Sequence, residues 1–391
     1  MKFDSVIVRF GGEMGVKSER TRRVFERLLS GNIRKVLTHY GIQYQKIIMR
    51  RGRIYLRTLN AVDATQKLVQ IFGISSVSPA KNTSSDMNSI LNQTLEHAYS
   101  TLIRGSSFAV RCHRVGEHTY SSMDVCSRVG EEVLANLKTR NIEVNLEKPQ
   151  FTINIEIRDD DAYVFSEKIE GVDGFPLGSQ PKVICLLSGG IDSPAACWLT
   201  MKRGCPIIPI HFDIRPFTDD KVASTVIDVA RKLFEWAVGF PRKVYFIPYG
   251  KNLKTIKKKS PEKLTCILCK RMMYRIAERM AEKEKAEGVV TGETIGEQAS
   301  QTLHNLRVLD YAVTKYPVHR PLLCFNKRET EKLAKKIGTF TLSTRTSTGC
   351  SAAPKKPTTK AKIKDVEKAE RELDIEKMVE ESIRKARIVK V

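Results

Sequence analysis

The chain has 391 residues, with 67 Lys and Arg against 44 Asp and Glu, a formal net charge of +23. That length calls for two to three domains, and a hydrophobic fraction of 41% is enough for real cores, which excludes a disordered chain. No run of about 20 apolar residues exists, so no segment spans a bilayer, and the positive excess favours a polyanionic partner, nucleic acid before anionic membrane.

The opening "MKFDSVIVRFGGE" carries Asp4 and only a short apolar run, so it is not expected to be a signal peptide. "SVIVRF" reads as a strand. "SERTRRVFERLLSGNIRKVLTHYG" places Val24, Leu28, Ile33 and Leu37 at helical spacing, with Ser18 as N-cap and Gly41 as the stop. "QKIIMRRGRIYLRT" predicts a hairpin turning near Arg51 and Gly52, and "DATQKLVQIFGISSVSPA" a helix followed by a strand. This first stretch is a small α+β module bearing basic residues. From about Ser84 come a helix ("MNSILNQTLEHAYSTLI"), a strand ("SFAVRCHRVG") and a helix ("SSMDVCSRVGEEVLANLKTR"). Strands follow in "VNLEKPQFTINIEIRDDDAYVFSEKIEG", turning at Asp159 and Asp160. "GVDGFPLGSQPK", rich in Gly and Pro, reads as a linker.

Beyond Pro181, strands and helices alternate. "KVICLL", "PIIPIHF", "KVYFIPYG" and "GVVTGE" read as strands. "SPAACWLTMKRG", "DKVASTVIDVARKLFEWAV" and "CILCKRMMYRIAERMAEKEKA" read as helices. The buried runs suit a doubly wound parallel sheet covered on both faces, an α/β unit. The terminal "DVEKAERELDIEKMVEESIRKARIVKV" reads as a charged helix or pair of helices.

In "VICLLSGGIDSPAACWLTMKRG", Ser188, Gly189, Gly190, Asp192 and Ser193 stand where a strand hands over to a helix. Successive backbone N–H groups and a helix N-terminus there make a phosphate site. The two glycines allow positive φ and a close approach of the phosphate, and the serines can donate hydroxyls. Asp192 repels phosphate, so its sensible role is to hold Mg²⁺ against it. An ordinary tight turn is the bland alternative; a bare Gly-Gly would favour it, and the full Ser-Gly-Gly-X-Asp-Ser does not. The stretch resembles the loop of the ATP pyrophosphatases, which cut ATP between its α- and β-phosphates and adenylate a substrate. His211 and Phe212 end a parallel strand at the edge where ligands of such sheets bind, and the backbone there can read adenine. A lone His in that setting is more often structural.

Nine cysteines scattered through a large chain fit a reducing cytoplasm, as free thiols or metal ligands. Cys266 and Cys269 form "CILC" on one helical face, and Cys350 lies in the polar, basic loop "STGCSAAPKKP". Three readings compete: an iron–sulfur cluster with one open iron, a persulfide relay from Cys350 to a "CILC" thiol, or a half-formed zinc site or unrelated thiols. Cys185, Cys197 and Cys205 lie in apolar runs and read as core.

The ordered set "LLSGGIDSPAA", "IHF", "CILCKRMMYRIAE", "TGETIGEQASQTLHNL", "RPLLCFNKRE" and "GCSAAPKKPTTKAK" resembles the tRNA 4-thiouridine synthetases, the ThiI family. Upstream, "FAVRCHRVGEHTYSS" and "VNLEKPQFTINIEI" look like its THUMP domain, and "VRFGGEMGVKSERTRRVFERLLSGNI" like its ferredoxin-like domain. The implied organisation is a ferredoxin-like domain over 1–75, THUMP over 76–170, a linker over 171–180 and an ATP-pyrophosphatase synthetase domain over 181–391. The family adenylates O4 of uridine 8 in tRNA and replaces it with sulfur. The resemblance implies nucleotide contacts at Leu186, Leu187, His211, Phe212, Arg271, Gly292 and Gln301. It implies Asp192 as the catalytic acid, Lys327 as an assisting lysine and Cys350 as the cysteine handling sulfur. "CILC" plus Cys350 is similar to the archaeal three-cysteine arrangement, which favours a [4Fe-4S] or [3Fe-4S] cluster over the relay. No rhodanese domain is expected, and "GEQASQ" in place of the more usual "GQVASQ" leaves the role of Gln298 open.

The implied cofactors are ATP, magnesium and the cluster. The partners are tRNA and a sulfur donor, either sulfide or a cysteine desulfurase persulfide; a homodimer and a role in thiamine synthesis stay open, and no membrane is involved. Arg50, Arg51, Arg53, Arg111 and Arg114 are candidate RNA contacts in the N-terminal modules, and Lys355 and Lys356 near Cys350; each could equally be a solvated charge. The alternatives are an enzyme of the same fold thiolating another tRNA base, and a non-enzymatic RNA-binding protein. A metabolic ligase fits the basic N-terminal half poorly.

Overall fold

The structure, a computed structural model, describes residues 2–50, 52–345 and 349–391. The chain forms two compact units, Met1–Phe175 and Pro176–Val391.

The first unit is built on nine strands: β1 (Ser5–Phe10), β2 (Lys46–Arg50), β3 (Arg53–Arg57), β4 (Ile74–Ser84), β5 (Ser107–Val115), β6 (Glu143–Val144), β7 (Phe151–Arg158), β8 (Asp161–Phe165) and β9 (Ile169–Glu170). They run in the order β2-β3-β1-β4-β8-β7-β5-β6, with β9 also paired to β4. The expected hairpin is present, Arg50 opposite Arg53, and Gly52 at φ +81° supplies the left-handed turn residue. The helix Glu19–His39 is capped by Ser18, whose hydroxyl accepts from Thr21 N. Its buried stripe keeps the expected Ile33 and Leu37, but its first two positions shift by one residue: Phe25 and Leu29 face inward, while Val24 is 51% exposed.

The expected boundary at 75/76 falls inside β4. Residues up to Ala80 pair with β1, and Lys81–Ser84 pair with β8, so one strand serves both modules. The junction is locked by Glu156 of β7, which is buried and bonded to Arg9, Arg53, Arg158 and Tyr55. Tyr55 in turn stacks on Tyr163 with ring centroids 4.4 Å apart.

The second unit has six strands: β10 (Val183–Leu186), β11 (Ile207–Asp213), β12 (Lys243–Pro248), β13 (Val289–Val290), β14 (Val318–His319) and β15 (Arg387–Lys390). Their order is β14-β13-β10-β11-β12-β15. All pairs are parallel except β15, which runs antiparallel to β12. The charged C-terminal stretch is therefore two helices, Ile363–Glu370 and Ile375–Arg384, followed by an edge strand that the charge pattern hides. The helix Thr265–Glu284 buries Ile267, Leu268, Met272, Ile276 and Met280 in one core with Ile184, Ile210 and Val289. Because β11 and β13 flank β10 on opposite sides, the carboxyl end of β10 is a switch point, where ligands of open α/β sheets bind.

Candidate functional site

At that switch point the chain leaves β10 and enters the helix Asp192–Lys202. The turn is closed on itself. Ser188 N donates to Ser193 Oγ at 2.8 Å, Gly190 N donates to Ser188 Oγ at 3.3 Å, and the two hydroxyls lie 3.0 Å apart. Neither Gly189 nor Gly190 has positive φ, which corrects the expectation for them. Gly292, just past β13, has a clearer steric reason: a Cβ there would stand 2.7 Å from Ser193 N. Only glycine lets that strand end press against the loop.

His211 is buried, and burial lowers its pKa despite the bond from Nδ1–H to Leu187 O at 3.1 Å. The neutral imidazole thus braces the loop's entry, the structural role allowed for it.

A cavity of about 440 Å³ opens over the turn, within the ~300–1,000 Å³ range of small-molecule sites. Leu186, Leu187, Ser188, Gly189, Gly190, His211 and Phe212 line it, together with Met273 and Cys350. Apolar side chains thus adjoin backbone amides and a thiol, a surface for a flat heterocycle carrying phosphates.

Beside the loop, Asp192 Oδ1 lies 3.4 Å from Lys327 Nζ, and the same ammonium lies 2.6 Å from Glu297. Lys327 opens the helix Lys327–Ile337, which Asn326 and Glu329 close with a capping box. Burial raises the Asp192 pKa, Lys327 opposes it, and Glu297 adds to it. Burial lowers Lys327, but its bond to Glu297 and the charge of Asp192 bring it above the ordinary lysine value. Glu297 was not singled out from sequence, although the "GEQASQ" departure marks its place. Among the described residues no group of three His, Cys, Asp or Glu is close enough to hold an ion alone. Mg²⁺ commonly takes one or two carboxylates plus substrate phosphates, and Asp192 at a phosphate-type loop fits that donor set.

Cys266 and Cys269 lie one turn apart at the start of Thr265–Glu284, and both feel the charge of Cys350. Burial pushes Cys266 up and Cys269 to about 12; the neighbouring thiols add to this. The three thiols come from two segments and are soft donors of the kind iron takes, but they do not close into a three-ligand group among the described residues. Ser351 N donates to Phe217 O at 2.9 Å and fixes the Cys350 loop against the turn after β11. Cys185 and Cys197 are buried and Cys205 half-buried, and none of the three lines the cavity.

Residues 178–375 match the family described as thiamine biosynthesis protein (ThiI). The chain belongs to the ThiI family. Residues 5–78 match the ThiI ferredoxin-like domain and 84–167 the THUMP domain. A Methanosarcina mazei protein called "Probable tRNA sulfurtransferase" is 38% identical over 99% of this chain and 95% of its own. A Methanobrevibacter smithii protein of the same description is 38% identical over 98% of this chain and 99% of its own. The crystal structure of a 4-thiouridine synthetase–RNA complex with bound ATP superposes with a TM-score of 0.89, at 32% identity over 99% of both chains.

Three residues implied by the ThiI resemblance, Arg271, Gly292 and Gln301, are not among the residues lining this cavity. Arg271 does not line the cavity: it is 2% exposed and forks onto Glu370 at 2.8 and 2.9 Å. Burial opposes the Glu370 charge, but Arg271 and Arg275 hold that carboxyl at about 2. Arg271 therefore ties Thr265–Glu284 to Ile363–Glu370. Gln301 is also buried, outside the cavity lining, and its Oε1 has no partner among the described residues.

Of the basic candidates, Arg53 is committed to Glu156 at 3.2 Å and Arg50 to Asp159 at 3.5 Å. Arg111 donates to Leu146 O, and Arg114 to Gly116 O. Lys355 and Lys356 are exposed, and Arg51 lies outside the described residues.

Proposed function

We propose that this ThiI-family chain is a tRNA uracil 4-sulfurtransferase that adenylates O4 of uridine 8 and then replaces it with sulfur. The observation that carries the reading is the shared cavity: the phosphate-type turn Ser188–Gly190 and the Cys350 thiol line one space. Activation by a nucleotide and delivery of sulfur need those two functions side by side.

In the proposed reaction, ATP lies with its phosphates over the turn and its base against the apolar lining near Phe212. Uridine O4 attacks the α-phosphorus, an O–P bond forms, and the α–β bond breaks to release pyrophosphate. Backbone amides of the turn and the Lys327 ammonium stabilise the developing charge. Asp192 and the phosphates would hold Mg²⁺, which shields the phosphates when bound. A sulfur nucleophile then attacks C4, and AMP leaves with the former O4.

Cys266, Cys269 and Cys350 are the proposed holders of an iron–sulfur cluster, which when bound offers an open iron for sulfide. The runner-up is a persulfide on Cys350, resolved by Cys266 or Cys269. Sulfur supply to thiamine synthesis is a secondary proposal, supported by the family description alone. A cytoplasmic setting is proposed from the free thiols; among the described residues no helix is long and apolar enough to cross a membrane.

The test is nucleoside mass analysis of unmodified tRNA incubated with the chain, ATP, Mg²⁺ and sulfide. ATP-dependent 4-thiouridine supports the reading. Thiolation of another base, or none, overturns it.

A further inference from the structure

We propose that the second unit carries its own tRNA-docking groove, between the helix Leu303–Asp310 and the segment 360–363. This rests on the proposed activity and adds where the RNA is gripped. The groove encloses about 540 Å³. It is lined by Leu303, His304, Arg307, Tyr311, Lys360 and Lys362, and no Asp or Glu is among its lining residues.

The helix is sharply two-sided. Leu306 and Leu309 enter the core, while Leu303, Arg307 and Tyr311 follow one another at successive turns of the outer face. Leu303 is 62% and Tyr311 57% exposed, an apolar and an aromatic side chain set among cations. Several other arginines of this unit are neutralised, Arg271 and Arg275 by Glu370 and Arg320 by Asp310. Among the described residues Arg307, Lys360 and Lys362 have no carboxylate partner.

The two walls are fixed to each other before any ligand arrives. Asn305, fully buried, donates to Thr358 O at 2.9 Å and to Ala299 O at 2.7 Å, and accepts from Ala361 N at 2.9 Å. Thr302 Oγ1 donates to Thr359 O at 2.6 Å. One wall follows Gln301, and the other continues the segment that begins at Cys350.

Unpaired cations around an exposed ring match a polyanion with stackable bases. A second protein copy would prefer a surface poorer in lysine. The groove is therefore assigned to tRNA.

The test compares the intact chain with Arg307→Glu/Lys360→Glu and with Tyr311→Ala. It measures binding of unmodified tRNA across a salt series, ATP binding without tRNA, and solution mass. The charge variant should bind tRNA about tenfold or more weakly, with the log–log salt slope reduced by about 2. Tyr311→Ala should lose roughly fivefold or more at unchanged slope. ATP binding should be unaltered in both, which shows that the fold is intact. Equal tRNA affinity and slope in wild type and charge variant overturn the groove while leaving the proposed activity standing. A change of solution mass with unchanged slope reassigns the face to a second copy. A wild type without tRNA affinity overturns both readings.

Discussion

The Lys327 ammonium stands 2.6 Å from Glu297, closer than the 3.4 Å that separates it from Asp192. Glu297 thus holds the lysine beside the turn and leaves Asp192 partly free for a cation. With Glu297→Gln, Lys327 falls to Asp192 and competes with Mg²⁺. The pair is part-exposed, so the effect is modest: the Mg²⁺ concentration for half-maximal rate should rise roughly two- to fivefold. A magnesium titration of pyrophosphate release checks this; an unchanged midpoint argues against the arrangement.

Asp192→Ala should lower pyrophosphate release by about 10²–10³-fold, the scale for losing a group that organises transition-state charge. Affinity for tRNA should not change. A variant that thiolates at the wild-type rate removes Asp192 from the chemistry.

Gly292→Ala puts a methyl 2.7 Å from Ser193 N, so the turn must shift. A stability loss of about 1–3 kcal/mol and weaker nucleotide binding are expected. Denaturant unfolding and ATP titration read the two effects separately.

Glu370 is held at about 2 by Arg271 and Arg275 against burial, and Glu293 at about 2 by Lys270, Tyr274 and Arg320. An unfolded Glu titrates near ~4.3. Both carboxylates are depressed in the folded state, so their stabilisation is present above ~4.3 and is lost as pH falls toward about 2. Glu370→Gln should cost about 3–5 kcal/mol at neutral pH, because the buried Arg271 loses its partner, and should flatten the acid limb. Thermal melts from pH 6 to 2 follow both changes.

Cys350→Ala should abolish 4-thiouridine while tRNA-dependent pyrophosphate release persists. Anaerobically purified wild type should carry iron and sulfide, and Cys266→Ala should lose them. Fully active wild type without iron would shift the assignment to the persulfide relay.

The turn and its cavity were legible because their determinants are contiguous: a buried strand, Ser-Gly-Gly, an acid and a helix start. Lys327 was reached through the family resemblance, yet its helix start was also written locally, since Asn326 and Glu329 spell a capping box. The Arg271–Glu370 tie was not legible because the two residues lie 99 positions apart, and no local pattern announces such a pair. Glu297 was missed for the same reason, since only the fold brings it to Lys327. The strand β15 escaped because "RIVK" continues a charged helical run, and pairing with β12 outweighs that local preference. In Glu19–His39 the expected Ile33 and Leu37 are buried, and the one-residue shift at the start arises because Val24 and Phe25 are both apolar, as are Leu28 and Leu29.

The sharing of β4 has a consequence for how the first unit can be dissected. An eleven-residue strand bonded to one module at its start and to the next at its end acts as a girder. Truncation between the two halves would strip partners from one of them and leave a raw, adhesive border. Inheritance and engineering alike must therefore carry the pair as a single inseparable piece.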